Sequence, residues 1–161
     1  MKKKIALLMM VLAVALSANA QFEKGKKFVG ASLTGLNLSY NGNDKFNLGL
    51  NGQGGYFLID NVLAMATVGY QGNGEAPDAL TLGVGGRYYI LQNGIFLGAN
   101  VQYMHAYDDY NDVMPGVEVG YAFFINRFIT IEPAVYYQQS FKDHSNYSTV
   151  GLRIGLGIYL P

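Results

Sequence analysis

Four charged residues, two arginines and two glutamates, occur in segments where apolar and polar residues alternate. They are Arg87, Glu118, Glu132 and Arg153. Successive side chains of a β-strand point to opposite faces, so each of the four would lie opposite the apolar face of its strand. An ionised group in a closed interior must be paired, because its desolvation is otherwise costly. The two positive and two negative charges balance, and the sequence predicts a buried network of ion pairs.

Other residue types offer little support for catalysis. The sequence has two histidines, His105 and His144, and the run Asp143-His144-Ser145 contains the residue types of a nucleophilic triad. Neighbours in a chain rarely reach the geometry that a triad needs. We therefore predict no catalytic residue, no cofactor and no metal site.

The segment that must position Arg153 has the clearest alternation in the chain. Val150, Leu152, Ile154, Leu156 and Ile158 share one face, and Thr149, Arg153 and three glycines share the other. The run is about as long as the ~9–11 residues of a tilted strand that crosses a bilayer. A soluble strand more often has about 5–6 residues. We predict a membrane-crossing strand, with Tyr159 at the membrane edge.

Seven further segments show the same alternation, which makes eight strands. The predicted strands are approximately Phe28–Tyr40, Lys45–Phe57, Val62–Gln71, Leu80–Ile90, Ile95–Tyr107, Val113–Ile125, Phe128–Phe141 and Thr149–Tyr159. In the first strand the apolar residues change parity, which predicts a β-bulge near Gly35. Pro133 lacks a backbone donor in mid-strand, which predicts a second bulge. Pro115 is predicted at the outer end of its strand.

Outward-facing aromatic residues are predicted near both ends of these strands. Two aromatic girdles are typical of membrane β-barrels, where they flank an apolar band. The predicted external girdle comprises Phe46, Tyr70, Tyr103 and Tyr137. The predicted periplasmic girdle comprises Tyr56, Tyr88, Tyr121 and Phe123.

The beginning of the chain has the pattern of an export signal. Lys2, Lys3 and Lys4 precede an apolar core, and Ala18-Asn19-Ala20 fits a cleavage site. We predict a cleaved signal peptide at 1–20, a short disordered lead-in at 21–27 and one barrel domain at 21–161. The whole chain has 11 basic and 11 acidic residues, so loss of three lysines leaves 8 against 11. Without a basic stripe, nucleic acid is not an expected partner. The absence of cysteine excludes a disulfide framework.

A strand–turn–strand motif suggests a family. The run from Gly55-Tyr56-Phe57 through Asp60-Asn61 to Ala64 resembles a signature of the small outer-membrane β-barrel proteins of Gram-negative bacteria, the OmpX-type and OmpA-type eight-stranded barrels. The resemblance covers the whole of 21–161. It implies an all-β, eight-stranded, antiparallel, up-and-down transmembrane β-barrel in the cell outer membrane, most simply a monomer. This family is functionally diverse, so its fold does not specify a role.

The predicted outer loops are acidic. They contain two basic residues, Lys45 and Lys142, and seven acidic residues: Asp44, Glu75, Asp78, Asp108, Asp109, Asp112 and Asp143. This is either a solvated acidic surface or, at Asp108, Asp109 and Asp112, a place where divalent ions bridge to lipopolysaccharide phosphates. The expected partners are outer-membrane lipid and lipopolysaccharide, together with the barrel-assembly and periplasmic chaperone machinery. The external partner is unknown.

Four functional hypotheses follow from the sequence. The first is a structural or interaction role at the envelope, with a lumen plugged by the ion-pair network. The second is a narrow pore for ions or small solutes, in which the interior glycines would leave room for water beside the charges. A lipid-modifying enzyme and a soluble ligand carrier are the others. A carrier would need an apolar interior, whereas the predicted interior face is glycine, asparagine, glutamine and charge.

Overall fold

The described part of the chain forms nine strands. The computed structural model describes residues 21–34, 48–72, 79–90, 93–106, 110–142 and 148–161. The strands are β1 (Lys27–Thr34), β2 (Leu48–Ile59), β3 (Val62–Gly72), β4 (Ala79–Tyr89), β5 (Ile95–Ala106), β6 (Tyr110–Tyr121), β7 (Phe123–Phe124), β8 (Ile129–Gln138) and β9 (Thr149–Leu160). In these ranges we find no helix with the length and apolarity required to span a membrane.

The strands form one closed antiparallel sheet. Consecutive strands pair along the chain, and β1 pairs with β9 as well as with β2. Both β6 and the two-residue β7 pair with β8, so together they occupy one position in the wall. The result is the eight-stranded, up-and-down, all-β barrel that the alternation predicts.

Burial alternates along the strands as expected for a barrel with a filled interior. In β9 the side chains of Leu152, Ile154 and Leu156 are exposed, whereas Arg153 and Gly155 between them are buried. The same period of two holds in β4 and β8. The apolar faces therefore form a continuous outer belt, which is the surface that a β-barrel presents to lipid.

One end of the barrel holds both described termini and the tight turns, and we call it the termini end; the other is the loop end. At the termini end Asn61 has φ 66° and Gly94 has φ 89°. Asparagine tolerates this left-handed conformation better than most residues. A Cβ at position 94 would also lie 2.8 Å from the Ala122 carbonyl oxygen, so that turn requires glycine.

Aromatic residues lie on the outer wall where the sequence places them. Tyr70 and Tyr103 are exposed near the loop end, and Tyr56, Tyr88 and Phe123 are exposed near the termini end. The prediction for Tyr159 was wrong, because its side chain is only 2% exposed and lies inside the barrel. Tyr159 shares the parity of Arg153, and that parity, rather than its place near the chain end, decides which way it points.

The bulge predicted at Pro133 was also wrong. The register between β8 and β9 runs without a slip from Ile129↔Ile158 to Gln138↔Thr149. On the other side of β8, pairing stops at Gly120↔Ala134 and resumes at Phe123↔Ile131 with the same register. The missing donor of Pro133 coincides with this gap, so the wall accommodates the proline by an interruption of the pairing with β8 between the end of β6 and the start of β7.

Several predictions fall outside the described residues. They include the signal peptide, the change of parity near Gly35, Phe46 in the external girdle, and the loop residues Asp44, Glu75, Asp78, Asp108, Asp109, Asp143 and His144.

The face assignment predicts the effect of a charge on the outer wall. Ile154 is exposed in the middle of β9, opposite Leu33 and Pro133 of its neighbours. Ile154→Arg should lower the free energy of unfolding by about 2–4 kcal/mol, the usual penalty for a cation at the bilayer midplane. Denaturant titration of the protein in lipid vesicles measures this change.

Gly155→Ala is the matched control. Position 155 faces the interior, and a Cβ there would lie no closer than 3.5 Å to any atom, at the Ser32 Cβ. Equal losses of stability in the two variants would contradict the assignment of faces.

Candidate functional site

The four predicted charges lie together inside the barrel. Arg87 comes from β4, Glu118 from β6, Glu132 from β8 and Arg153 from β9, and all four are buried. Each occupies an inward position of its strand, which is why elements far apart in the chain can direct charges to one region.

Arg87 is the centre of the group. Its Nε donates to Glu118 Oε1 at 2.7 Å, and its Nη1 donates to Glu132 Oε2 at 2.7 Å. Its Nη2 lies 3.4 Å from Gln53 Oε1. One guanidinium therefore binds two carboxylates on different strands, an arrangement that its planar fork of donors favours.

Arg153 completes a chain of four charges. Its Nη2 contacts the second carboxylate oxygen of Glu118. The order is Glu132–Arg87–Glu118–Arg153, so positive and negative groups alternate and the formal charges cancel. Pairing of this kind offsets the desolvation of buried ions, whereas removing one member leaves an uncompensated charge.

Interior glycines make room for the charged side chains. Gly98 of β5 pairs with both Arg87 and Glu118 and so lies between them in the wall. A Cβ at position 98 would lie 2.6 Å from Glu118 Oε1, and one at position 157 would lie 2.6 Å from Glu132 Oε1. These glycines leave the space that the carboxylates occupy.

Hydroxyl groups that sequence reasoning missed complete the shell of Glu132. Its Oε1 accepts hydrogen bonds from Thr130 Oγ1 at 2.8 Å and from the Tyr159 hydroxyl at 2.7 Å. The Tyr159 hydroxyl is also 2.9 Å from that of Tyr89. Both tyrosines have inward parity, and that signal could have placed them in the network.

An aromatic layer lies against the charges on the side of the termini end. Its core is Phe22, Phe28, Phe57, Leu63, Tyr89, Phe96, Ala122, Ala134 and Tyr159. The guanidinium carbon of Arg87 lies 4.3 Å from the ring centre of Phe96, within the range of a cation–π contact. This apolar filling departs from the wholly polar interior that the sequence suggested.

Residues Gln21–Lys26, which we call the strap, cover the aromatic layer at the termini end of the barrel. The Phe22 side chain is fully buried and stacks on Tyr89 with ring centres 4.0 Å apart. The strap is held by Asn61 N donating to Phe22 O at 2.7 Å, Gly25 N to Phe57 O at 2.9 Å and Lys24 N to Asp60 Oδ1 at 2.9 Å. The prediction of a disordered lead-in at 21–27 was therefore wrong.

The interior toward the loop end is more polar. Ser32, Thr81 and Gln138 are buried there, and Gln138 Nε2 donates to Met114 O at 2.7 Å. Asp112, predicted in an acidic outer loop, is instead an inward residue of β6, only 4% exposed, and accepts a hydrogen bond from the Ser140 hydroxyl. The prediction for Asp112 was wrong because β6 extends further than the sequence indicated.

His105 lies on the outer wall, away from the charges. Its Nδ1 is 2.6 Å from Asn111 Oδ1, and the Tyr103 hydroxyl donates to the same oxygen at 2.8 Å. It has no contact with the interior network, and its position agrees with the outward parity of β5.

Solved structures share this arrangement of strands. The N-terminal β-barrel domain of Pseudomonas aeruginosa OprF is similar, with a TM-score of 0.67 and 12% identity over 85% of this chain and 98% of that chain. The chain has the fold of an eight-stranded outer-membrane β-barrel. A comparison of its sequence with protein-family models and curated proteins finds no match.

Two further outer-membrane proteins are similar to this barrel. Yersinia pestis Ail in a phospholipid nanodisc has a TM-score of 0.57 and 13% identity, covering 85% of this chain and 100% of that one. Neisserial surface protein A has a TM-score of 0.56 and 14% identity, covering 83% and 95%. At such identities the likeness concerns the fold of the barrel alone.

The ion-pair chain predicts which residues of the barrel are energetically coupled. Glu118→Gln or Arg153→Met alone should destabilise by about 3–5 kcal/mol, because each leaves a buried charge without its partner. The double variant should recover part of that loss. Denaturant titration of the wild type, both single variants and the double variant gives the coupling energy.

Glu132→Gln combined with Arg153→Met is the comparison. These two residues stand at opposite ends of the charge chain, so their coupling should be smaller than that of Glu118 with Arg153. Single changes that leave the stability unaltered would show that the charges are solvated rather than buried.

The strap makes a separate prediction. Phe22→Ala should cost about 3–5 kcal/mol, the range for truncating a buried phenylalanine. The loss of stability is measured by thermal unfolding, monitored as the difference in gel mobility between heated and unheated samples. Glu23→Ala removes only a surface pair with Lys26 at 3.8 Å and should cost less than about 1 kcal/mol. Similar effects of the two changes would exclude an anchoring role for Phe22.

Proposed function

We propose that this barrel resides in the outer membrane and has a structural or interaction role at the cell envelope, with a lumen closed to solutes. The observation that carries the proposal is that two successive layers of buried side chains cross the interior. One is the ion-pair chain of Arg87, Glu118, Glu132 and Arg153, and the other is the aromatic layer with Phe22.

The dimensions of the barrel support closure. Eight strands enclose a space that side chains alone can fill. The aromatic layer receives a side chain from every position of the wall, and the strap adds Phe22 in its centre. An ion would have to displace both the stacked rings and a guanidinium bound to two carboxylates, so the barrier to passage is high.

The outer wall supports membrane residence. Exposed valine, leucine and isoleucine side chains form the belt, and exposed tyrosines stand at both of its ends. On a soluble protein such a surface would be an aggregation hazard. Lipid and lipopolysaccharide are then the surrounding partners, and the assembly and chaperone machinery of the envelope would deliver the chain.

A non-enzymatic role accords with the chemistry of the interior. The buried carboxylates are engaged by arginine or hydroxyl donors, and the layer is neutral as a whole. A catalytic acid or base needs access to a substrate, and here both faces of the charged layer are covered by other side chains.

A narrow pore is the second candidate. The interior toward the loop end favours it, because Asn100 and Gln102 are partly exposed and have inward parity on β5. In that case the two layers would be the gate, and their opening would determine conduction.

Planar-bilayer recording tests closure. The refolded wild-type barrel should give no stable conductance steps, with a large porin in the same bilayer as the positive control. The combined variant Phe22→Ala and Arg87→Ala removes one side chain from each layer and should raise the frequency of openings. Uniform, ion-selective conductance steps from the wild type would contradict the closed barrel and support the pore. Absence of insertion into vesicles, read by heat-modifiable mobility, would overturn membrane residence itself.

A further inference from the structure

A pair of exposed cations marks the seam where the sheet closes. Lys27 is the first residue of β1 and pairs with Leu160 of β9 and with Tyr56 of β2. It is exposed between the strap and Val29, and Phe28 beside it is buried, so Lys27 belongs to the outer wall.

Arg127 lies on the other side of Leu160. The Phe128 carbonyl oxygen accepts the Tyr159 amide at 2.7 Å, and β8 continues in register with Ile129↔Ile158. The same register places Arg127 beside Leu160, in the exposed turn before β8. Lys27 and Arg127 therefore flank one β9 residue and are separated by two interstrand spacings, about 10 Å.

These cations lie at the edge of the apolar belt. Tyr56, Leu160 and Ile129 next to them are exposed on the wall. Long basic side chains at such an edge keep their stems on apolar surface and extend their charges to the headgroup layer. Both side chains are long enough to reach one anion between them.

The termini end has an excess of positive charge in the part of the chain that the structure describes. This end has four basic residues, Lys24, Lys26, Lys27 and Arg127, and two acidic residues, Glu23 and Asp60. Glu23 lies 3.8 Å from Lys26, and Asp60 Oδ1 accepts the Lys24 amide. Within the described ranges neither Lys27 nor Arg127 has an ion-pair partner, unlike the arginines of the interior.

We infer that Lys27 and Arg127, with the exposed surface of Leu160 between them, form a binding site for the phosphate of an anionic phospholipid. We call it the seam site. A phosphodiester oxygen would accept from both cations while the acyl chains lie on the belt. A zwitterionic lipid would also bring its own ammonium group toward the two cations, which disfavours it. The inference rests on the proposed membrane residence and adds a lipid preference to it.

Tryptophan fluorescence gives a local test, because the chain contains no tryptophan. Tyr56→Trp places a reporter next to Lys27, and Tyr88→Trp places a matched reporter at the same end of the wall on β4. Each is refolded into phosphatidylcholine vesicles that contain brominated phosphatidylglycerol or, at the same mole fraction, brominated phosphatidylcholine. The ratio of quenching by the two lipids measures the local enrichment of the anionic one.

The Tyr56→Trp reporter should show enrichment on the order of fivefold for each cation engaged, whereas the Tyr88→Trp reporter should show a ratio near one. Lys27→Gln with Arg127→Gln should bring the first ratio down to that of the second, and high salt should reduce it. Lys142→Gln, at the loop end, should leave it unchanged.

The outcomes separate the inference from the proposed function. Quenching of both reporters by both lipids to the same extent overturns the seam site and leaves membrane residence intact. An anionic preference that survives Lys27→Gln with Arg127→Gln also overturns it. No quenching by either lipid overturns membrane residence itself.

Discussion

Hydrogen bonding of the backbone is the constraint on which the rest of this structure depends. Lipid offers no donors or acceptors, so a sheet in a bilayer must satisfy its own backbone and cannot leave an edge. Here the pairing of β1 with both β2 and β9 meets that requirement. Once the sheet is closed, each strand residue faces either the outside of the barrel or a narrow interior, and the alternation of the sequence becomes a division between two environments.

The interior then has to be filled without leaving charges unpaired. Arg87 binds two carboxylates, Arg153 binds the second oxygen of one of them, and hydroxyl groups complete the other. The arrangement depends on residues without side chains, since Gly98 and Gly157 leave room for the carboxylates. The ion-pair network therefore depends on both the charged residues and the glycines of the inward face, and substitution of either kind of residue would disturb it.

Local patterns accounted for the parts of the fold that depend on parity. Period two predicted eight strands, the lipid-facing belt and the inward position of four charges, because each is decided within one strand. The choice of ion-pair partners could not be predicted, since it depends on the stagger of strands around the closed sheet. The burial of Phe22 could not be predicted, because a single aromatic residue before β1 forms no repeating pattern. Its ring is nevertheless fully buried, and backbone hydrogen bonds hold the segment in place.

The meeting of Phe22 and Tyr159 joins the two ends of the described chain inside the barrel, with ring centres 5.6 Å apart. Contacts between residues so distant in sequence require closure of nearly the whole chain, which slows folding more than local contacts do. Until β9 pairs with β1, the sheet has open edges whose backbone groups lack partners. Open strand edges pair readily with other chains, so the chain is prone to aggregation until its last strand is in place.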